Sequence, residues 1–240
     1  MSNNKIVASI PNTITCLSLV CGSVAIIMSF RCMEQIGSLA GWQWACIFMG
    51  FSAVFDFLDG AAARALKAYS KIGAELDSLS DLVAFGVAPA MMMFNLMQYH
   101  TVAVGQPELQ WLSYAALLVP VFGALRLARF NVEDVGTTTF RGLPIPSGCI
   151  FLIGVAGWIA TYGYPGSIVV TLLIVLTSLA LVGKFKMFSL KFKSFGLQEN
   201  FRRYVLLVCA VAFLFIYGLS GLAWTIVFYL LLSVLSSRQV

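Results

Sequence analysis

Runs of about twenty apolar residues recur along this 240-residue chain, and they leave few folds open to it. A helix needs roughly 20 such residues to cross a hydrocarbon layer, and only helices or closed barrels satisfy their backbone polar groups there. Eight runs stand out, at 11–30, 42–63, 80–98, 110–128, 146–163, 166–183, 204–218 and 221–236. The chain is 60% hydrophobic and 10% charged, with a mean hydropathy of +0.92. Soluble domains usually carry about 25% charged residues. The pattern predicts an all-α, polytopic membrane helix bundle of about eight transmembrane helices.

The last two runs are short and meet at Gly218-Leu-Ser-Gly221, so they form either a tight hairpin or one long bent span. The first run has no basic segment before it and no small-x-small cleavage site, so it reads as a retained span. The six cysteines are scattered through apolar runs with no C-x-x-C pair, and they read as small buried hydrophobes. No repeat of 20 to 50 residues and no low-complexity linker interrupts the chain, so 1–240 reads as one membrane domain.

Charge sets the orientation. With the N-terminus inside, Lys5, Arg64, Lys67, Lys71, Arg126, Arg129, Arg141, Lys184, Lys186, Lys191, Lys193, Arg202, Arg203 and Arg238 all fall on the inner side. Of the 15 basic residues only Arg31 falls outside. This positive-inside bias predicts cytoplasmic N- and C-termini and an integral inner-membrane protein with its functional face toward the cytoplasm. The segment 184–203 mixes lysines with Phe185, Phe188, Phe192 and Phe195, and reads as an interfacial anchor on anionic lipid. The modest net charge of +5 belongs to this topology, and no basic, aromatic-interleaved surface suggests nucleic acid.

Carboxylates are costly in such a chain. Four of its ten acidic residues are the aspartates Asp56, Asp59, Asp77 and Asp81. Spacings of three and four place each pair on one helix face. Ion pairing with Arg64 and Lys67, or a proton relay, would explain two of them. Four clustered carboxylates are better balanced by two divalent cations, and oxygen ligands select Mg²⁺, Mn²⁺ or Ca²⁺ over zinc. Gly60 and Gly73 leave room for a ligand to approach, and Arg64 offers a planar fork to a phosphate. No histidine is near, so a carboxylate is the available base for an acceptor hydroxyl; Asp81, the last of the four along the third span, is the choice.

The stretch D-x-x-D-G-x-x-A-R-x8-G-x-x-x-D-x-x-x-D, read here from Asp56 through Asp59, Gly60, Ala63, Arg64, Gly73 and Asp77 to Asp81, resembles the signature of the CDP-alcohol phosphatidyltransferases, and every fixed position matches. The resemblance implies a six-helix catalytic core open to the cytoplasm, usually in a homodimer. It implies that Asp56, Asp59 and Asp77 ligate metal, that Asp81 completes the site and acts as base, and that Gly60 and Arg64 contact the CDP group. Residues 1–183 would hold that core, and 184–240 would add the interfacial segment and a helical hairpin.

Near the start, Pro11, Asn12 and Thr15 read as the capped entry of the first span. They also resemble the Pro-Asn…Thr entry of the family, which implies nearness to the nucleotide, so Asn12, Thr15, Asp59, Gly60, Arg64 and Gly73 form the expected CDP-binding set. Further on, Arg126-Leu-Ala-Arg129-Phe-Asn131 precedes Phe140-Arg141-Gly142-Leu143-Pro144-Ile145-Pro146. Arg126 and Arg129 share a helix face and read either as snorkelling topology residues or as a cradle for an anion. Together the two segments resemble the phosphatidylserine synthases of the family. That implies CDP-diacylglycerol, drawn from membrane lipid, as donor and L-serine as acceptor, with Arg126, Arg129, Asn131 and Arg141 near the acceptor or the lipid phosphate. Other acceptors (glycerol 3-phosphate, inositol phosphate or choline) remain alternatives within the family. An ion-coupled transporter is the rival outside it, although the aspartate motif has no counterpart in the second half of the chain.

Overall fold

The computed structural model describes residues 2–133, 140–187 and 196–237. Helix α1 (Ser2–Phe30) is followed by a two-residue-stranded hairpin, β1 (Gln35–Ile36) and β2 (Leu39–Ala40), and by α2 (Gly41–Ala65). A five-residue loop leads into α3 (Lys71–Asp81), which runs through a π-helical turn (Leu82–Val87) into α4 (Ala88–Ala103). A 3₁₀ stretch (Pro107–Leu117) opens α5 (Leu118–Glu133). Strand β3 (Phe140–Arg141) precedes α6 (Ile145–Tyr162) and α7 (Ser167–Leu181); β4 (Lys186–Met187) precedes α8 (Leu197–Tyr217) and α9 (Gly221–Ser237).

Among the described residues, six helical runs are long and apolar enough to cross a membrane: Ser9–Phe30, Gly41–Ala65, Lys71–Ala103, Pro107–Val132, Ile145–Tyr162 and Asn200–Leu235. Helix α7 has 15 residues, about 22 Å at 1.5 Å per residue, and falls short of a roughly 30 Å core. The final run folds back on itself. Gly218 at φ +58 ends α8, and the ring pairs Phe213–Phe228 and Tyr217–Trp224 straddle the turn symmetrically at 6.2 and 6.3 Å. It is therefore an antiparallel hairpin and not a bent span.

Two helix starts differ from the sequence reading. Pro11 does not begin α1 but lies inside it. Its missing N–H removes one helical bond, and the hydroxyls of Thr13 and Thr15 donate to the carbonyls of Ser9 and Pro11 in the same turns, at 2.9 and 3.1 Å. Asn12 and Thr15 are thus not caps. The third span begins nine residues before the apolar run at 80, because Ser70 starts a polar first segment by accepting a hydrogen bond from Gly73 N–H at 3.0 Å.

Polar and small residues hold the helices together, as expected where lipid is as apolar as the core. Ser18 of α1 and Ser52 of α2 face each other at 2.7 Å, and each hydroxyl is 3.0 Å from the other's carbonyl. A Cβ on Gly22 would stand 2.9 Å from that of Ala84, so α1 lies directly on the π turn. Met49, Met92, Met93 and Met97 fill the space behind it. A Cβ on Gly154 of α6 would stand 2.8 Å from that of Ala223, which seats the terminal hairpin on α6. Strands β3 and β4 pair Arg141 with Lys186, and Gly142 at φ +73 turns the chain into α6.

The two ends of the bundle differ in chemistry. All five tryptophans (Trp42, Trp44, Trp111, Trp158 and Trp224) lie toward the end opposite the aspartates, and Trp158 and Trp224 pair at 6.4 Å. Arg31, the basic residue at that end, is paired with Glu34, whose carboxyl the guanidinium holds below its usual range. The chain is built as an integral membrane protein with an aromatic end and a basic end. The segment 188–195, with Lys191 and Lys193, lies outside the described residues.

Candidate active site

Helix α2 brings Asp56 and Asp59 toward its C-terminal end, and α3 brings Asp77 and Asp81 back from the same side. Helix α1 packs against both and supplies the third wall. Carboxylate oxygens of Asp56, Asp59 and Asp77 all lie within 4.8 Å of one another. Asp56 is also within side-chain reach of both Asp77 and Asp81. Asp81 stands one turn further along its helix, and its Oδ1 is buried with no hydrogen-bond partner among the described residues.

Three convergent carboxylates and one uncompensated buried oxygen form a donor set of hard oxygens. Such a set costs too much to leave unneutralised in an apolar surround, and it fits a divalent cation of the Mg²⁺, Mn²⁺ or Ca²⁺ kind. Arg64 does not form an ion pair with any of the four among the described salt bridges, which removes that simpler account of them.

Thr15 of α1 donates to Asp59 Oδ2 at 2.5 Å, and Ser80 donates to the Thr15 carbonyl at 3.4 Å. Asp59, only 6% exposed, is thereby oriented from α1 and tied through it to α3. Beside this cluster opens a cavity of about 210 Å³ lined by Pro11, Asn12, Thr15, Asp59, Gly60, Ala63, Arg64, Ala68, Tyr69, Ser70, Gly73, Ala74 and Asp77. All six residues of the expected nucleotide set line this one space. Its walls are close: a Cβ on Gly73 would stand 2.8 Å from Asn12 Oδ1, and one on Gly60 3.3 Å from Arg64 Nη1.

The residues expected around the acceptor lie on α5 and β3. Arg126 is half-buried and Arg129 exposed at the same end of α5. Asn131 donates to Ser78 Oγ at 3.0 Å, which fastens the end of α5 to α3 next to Asp77. The backbone of Arg141 is fixed in β3 against Lys186; its side chain lies outside the described residues.

Several contributors were not identified from sequence. Ser70, Tyr69 and Ala68 lie in the short α2–α3 loop, where Ser70 carries a legible N-cap signal. Tyr229 of α9, 3% exposed, has Arg126 as a charged neighbour. No local pattern marks that contact, because it joins residues more than a hundred positions apart.

Comparison with known proteins follows the same residues. The family model for CDP-alcohol phosphatidyltransferase matches residues 8–188. A protein of Methanocaldococcus jannaschii named CDP-diacylglycerol–serine O-phosphatidyltransferase is 34% identical over 156 residues, which cover 65% of this chain and 64% of that one. Proteins of the same name from Bacillus subtilis and Mycobacterium leprae are 38% and 37% identical over 144 and 164 residues. These cover 60% and 62% of this chain, and 73% and 49% of the relatives. The match thus spans less than two thirds of the length of the first and third of these relatives.

Proposed function

The chain belongs to the CDP-alcohol phosphatidyltransferase family, and from that premise we propose that it transfers the phosphatidyl group of CDP-diacylglycerol to the hydroxyl of L-serine, giving phosphatidylserine and CMP. The observation that carries the reaction type is the meeting of three carboxylates within 4.8 Å, two of which, Asp59 and Asp77, line the same cavity as Asn12, Thr15, Gly60, Arg64 and Gly73. Serine as acceptor rests on the names of the relatives and on the Arg126–Asn131 segment.

Asp56, Asp59 and Asp77 would hold the divalent cations, with Asp81 completing the set. Bound Mg²⁺ or Mn²⁺ would supply charge neutralisation and polarisation at the pyrophosphate. Thr15 fixes one oxygen of Asp59 by its hydrogen bond, so the carboxylate is oriented before a ligand arrives. Arg64 and Asn12 hold the nucleotide phosphates and sugar, and Gly60 and Gly73 let it approach the helices.

The serine oxygen forms a bond to the diacylglycerol-side phosphorus. The bond from that phosphorus to the bridging oxygen breaks, and CMP leaves with the electron pair. Asp81 accepts the serine hydroxyl proton; its Oδ1, buried without a donor against it, is suited to receive one. Arg126 and Arg129, together with Asn131 and Arg141, would hold the serine carboxylate or the lipid phosphate. The basic residues gathered at this end support a cytoplasmic active site in the inner membrane, with both termini on that side. A homodimer is part of the same reading.

An acceptor screen tests it. Purified protein with CDP-diacylglycerol and Mn²⁺ is offered radiolabelled serine, glycerol 3-phosphate, inositol phosphate and choline in turn. Labelled lipid is expected with serine alone. Label from another acceptor would replace serine and keep the reaction type; no lipid product from any of them would remove the reaction type as well.

A further inference from the structure

The loop between α2 and α3, residues 66–70, is short and held by hydrogen bonds at both ends. Leu66 N–H donates to Ala62 O at 2.9 Å, and Ala68 N–H donates to Ala63 O at 3.0 Å. Lys67 between them adopts φ +49, a left-handed conformation that a non-glycine residue takes only where its surroundings impose it. On the far side Ser70 anchors the first turn of α3: its hydroxyl accepts from Gly73 N–H at 3.0 Å and its carbonyl from Ala74 N–H at 3.1 Å. Tyr69 sits between these two clamps. Its side chain is not packed away: Tyr69 is 73% exposed, yet it lines the cavity. A rigid loop therefore presents a bare aromatic ring at the mouth of the candidate nucleotide site.

Asp59 stands six residues before the end of α2 and Asp77 six residues after the start of α3, so these carboxylates lie about 9 Å along the helices, at 1.5 Å per residue, from the loop that carries Ala68 and Tyr69. A nucleotide with its phosphates at the carboxylates can extend its base toward that loop.

We propose that Tyr69 stacks on the base of the bound cytidine nucleotide and so forms the aromatic wall of the nucleotide cavity. This rests on the nucleotide reading of the cavity given above. Every base has a π face, so stacking adds affinity without selecting cytosine. The ring matters and the hydroxyl does not.

Calorimetric titration of the purified full chain in detergent, with Mg²⁺ present, tests this with CMP and UMP. Tyr69→Leu and Tyr69→Ala should each weaken CMP about tenfold, the scale expected for one stacked base. UMP, however weakly it binds, should lose affinity by the same factor. Tyr69→Phe should bind CMP within about twofold of the unaltered chain. Leucine performing as well as phenylalanine would overturn the proposal, since apolar cover alone would then suffice. So would alanine binding CMP as tightly as tyrosine, the outcome for a residue that only anchors the loop at the lipid interface. If the unaltered chain bound neither nucleotide, both this proposal and the reading beneath it would fall; CMP binding unmoved by any Tyr69 change would remove this one alone.

Discussion

The aspartate cluster and the arginine group lie at the same end of the bundle, yet they are built differently. The cluster comes from one continuous stretch, Asp56 to Asp81, folded back on itself and backed by α1. Thr15, Ser80 and the Ser18–Ser52 pair lock those three helices by hydrogen bonds of known length. The arginine group is gathered from afar: Arg126 and Arg129 from α5, Arg141 from β3 and Tyr229 from the terminal hairpin. It is tied to the cluster through the Asn131–Ser78 hydrogen bond. A compact, locally encoded centre is thus joined to an adaptable rim. Such a division suits a family with one reaction type and several acceptors, because the rim can change while the centre stays.

Chelation should separate the two regions most sharply. Excess EDTA is expected to stop turnover, with Mn²⁺ or Mg²⁺ restoring it; activity persisting in chelator would make the carboxylates structural. Next in size, Asp81→Asn should lower kcat by about 10²–10⁴-fold, the range for a lost general base. CMP binding, read by calorimetry, should stay within a few-fold, and undiminished turnover would take the base role from Asp81. At the rim, Arg126→Lys should raise the KM for serine roughly tenfold, since a bidentate fork is lost, while CMP affinity holds. An equal fall in CMP affinity would show that the two regions are one site. The smallest effect belongs to the scaffold: Ser52→Ala should cost about 0.6 kcal/mol, the average for such contacts between membrane helices, seen as a slightly lower unfolding temperature with KM values unmoved.

The same contrast governs what the sequence discloses. Apolar runs of twenty residues announce α1, α2 and α6 because the hydrocarbon layer demands them. The aspartates stand out because charge is expensive there, and the six residues expected around the nucleotide do line one cavity. The polar first turns of α3 escape a hydropathy reading, since Lys71–Asp81 is not an apolar segment although it continues into one. Pro11 misleads for a related reason: a proline normally marks a helix start, but here the helix runs through it from Ser2 to Phe30. The proximity of Tyr229 to Arg126 depends on how the hairpin seats at Gly154, which no local pattern records.

The π turn at Leu82–Val87 makes the chain length between Asp81 and Ala88 part of the design. There Ala88 N–H reaches back five residues to Val83 O, so the turn accommodates one residue more than an α-helix would. A residue removed from the turn would let it close as ordinary α-helix with the segments on either side still in phase, whereas the same residues drawn as α-helix at full length would rotate everything beyond them by about 100°. Met92, Met93 and Met97 would then swing out of the core, or Asp77 and Asp81 would swing away from Asp56. A single-codon deletion within this turn should therefore be tolerated better than one in α4 beyond it, where no wide turn can absorb the change of phase.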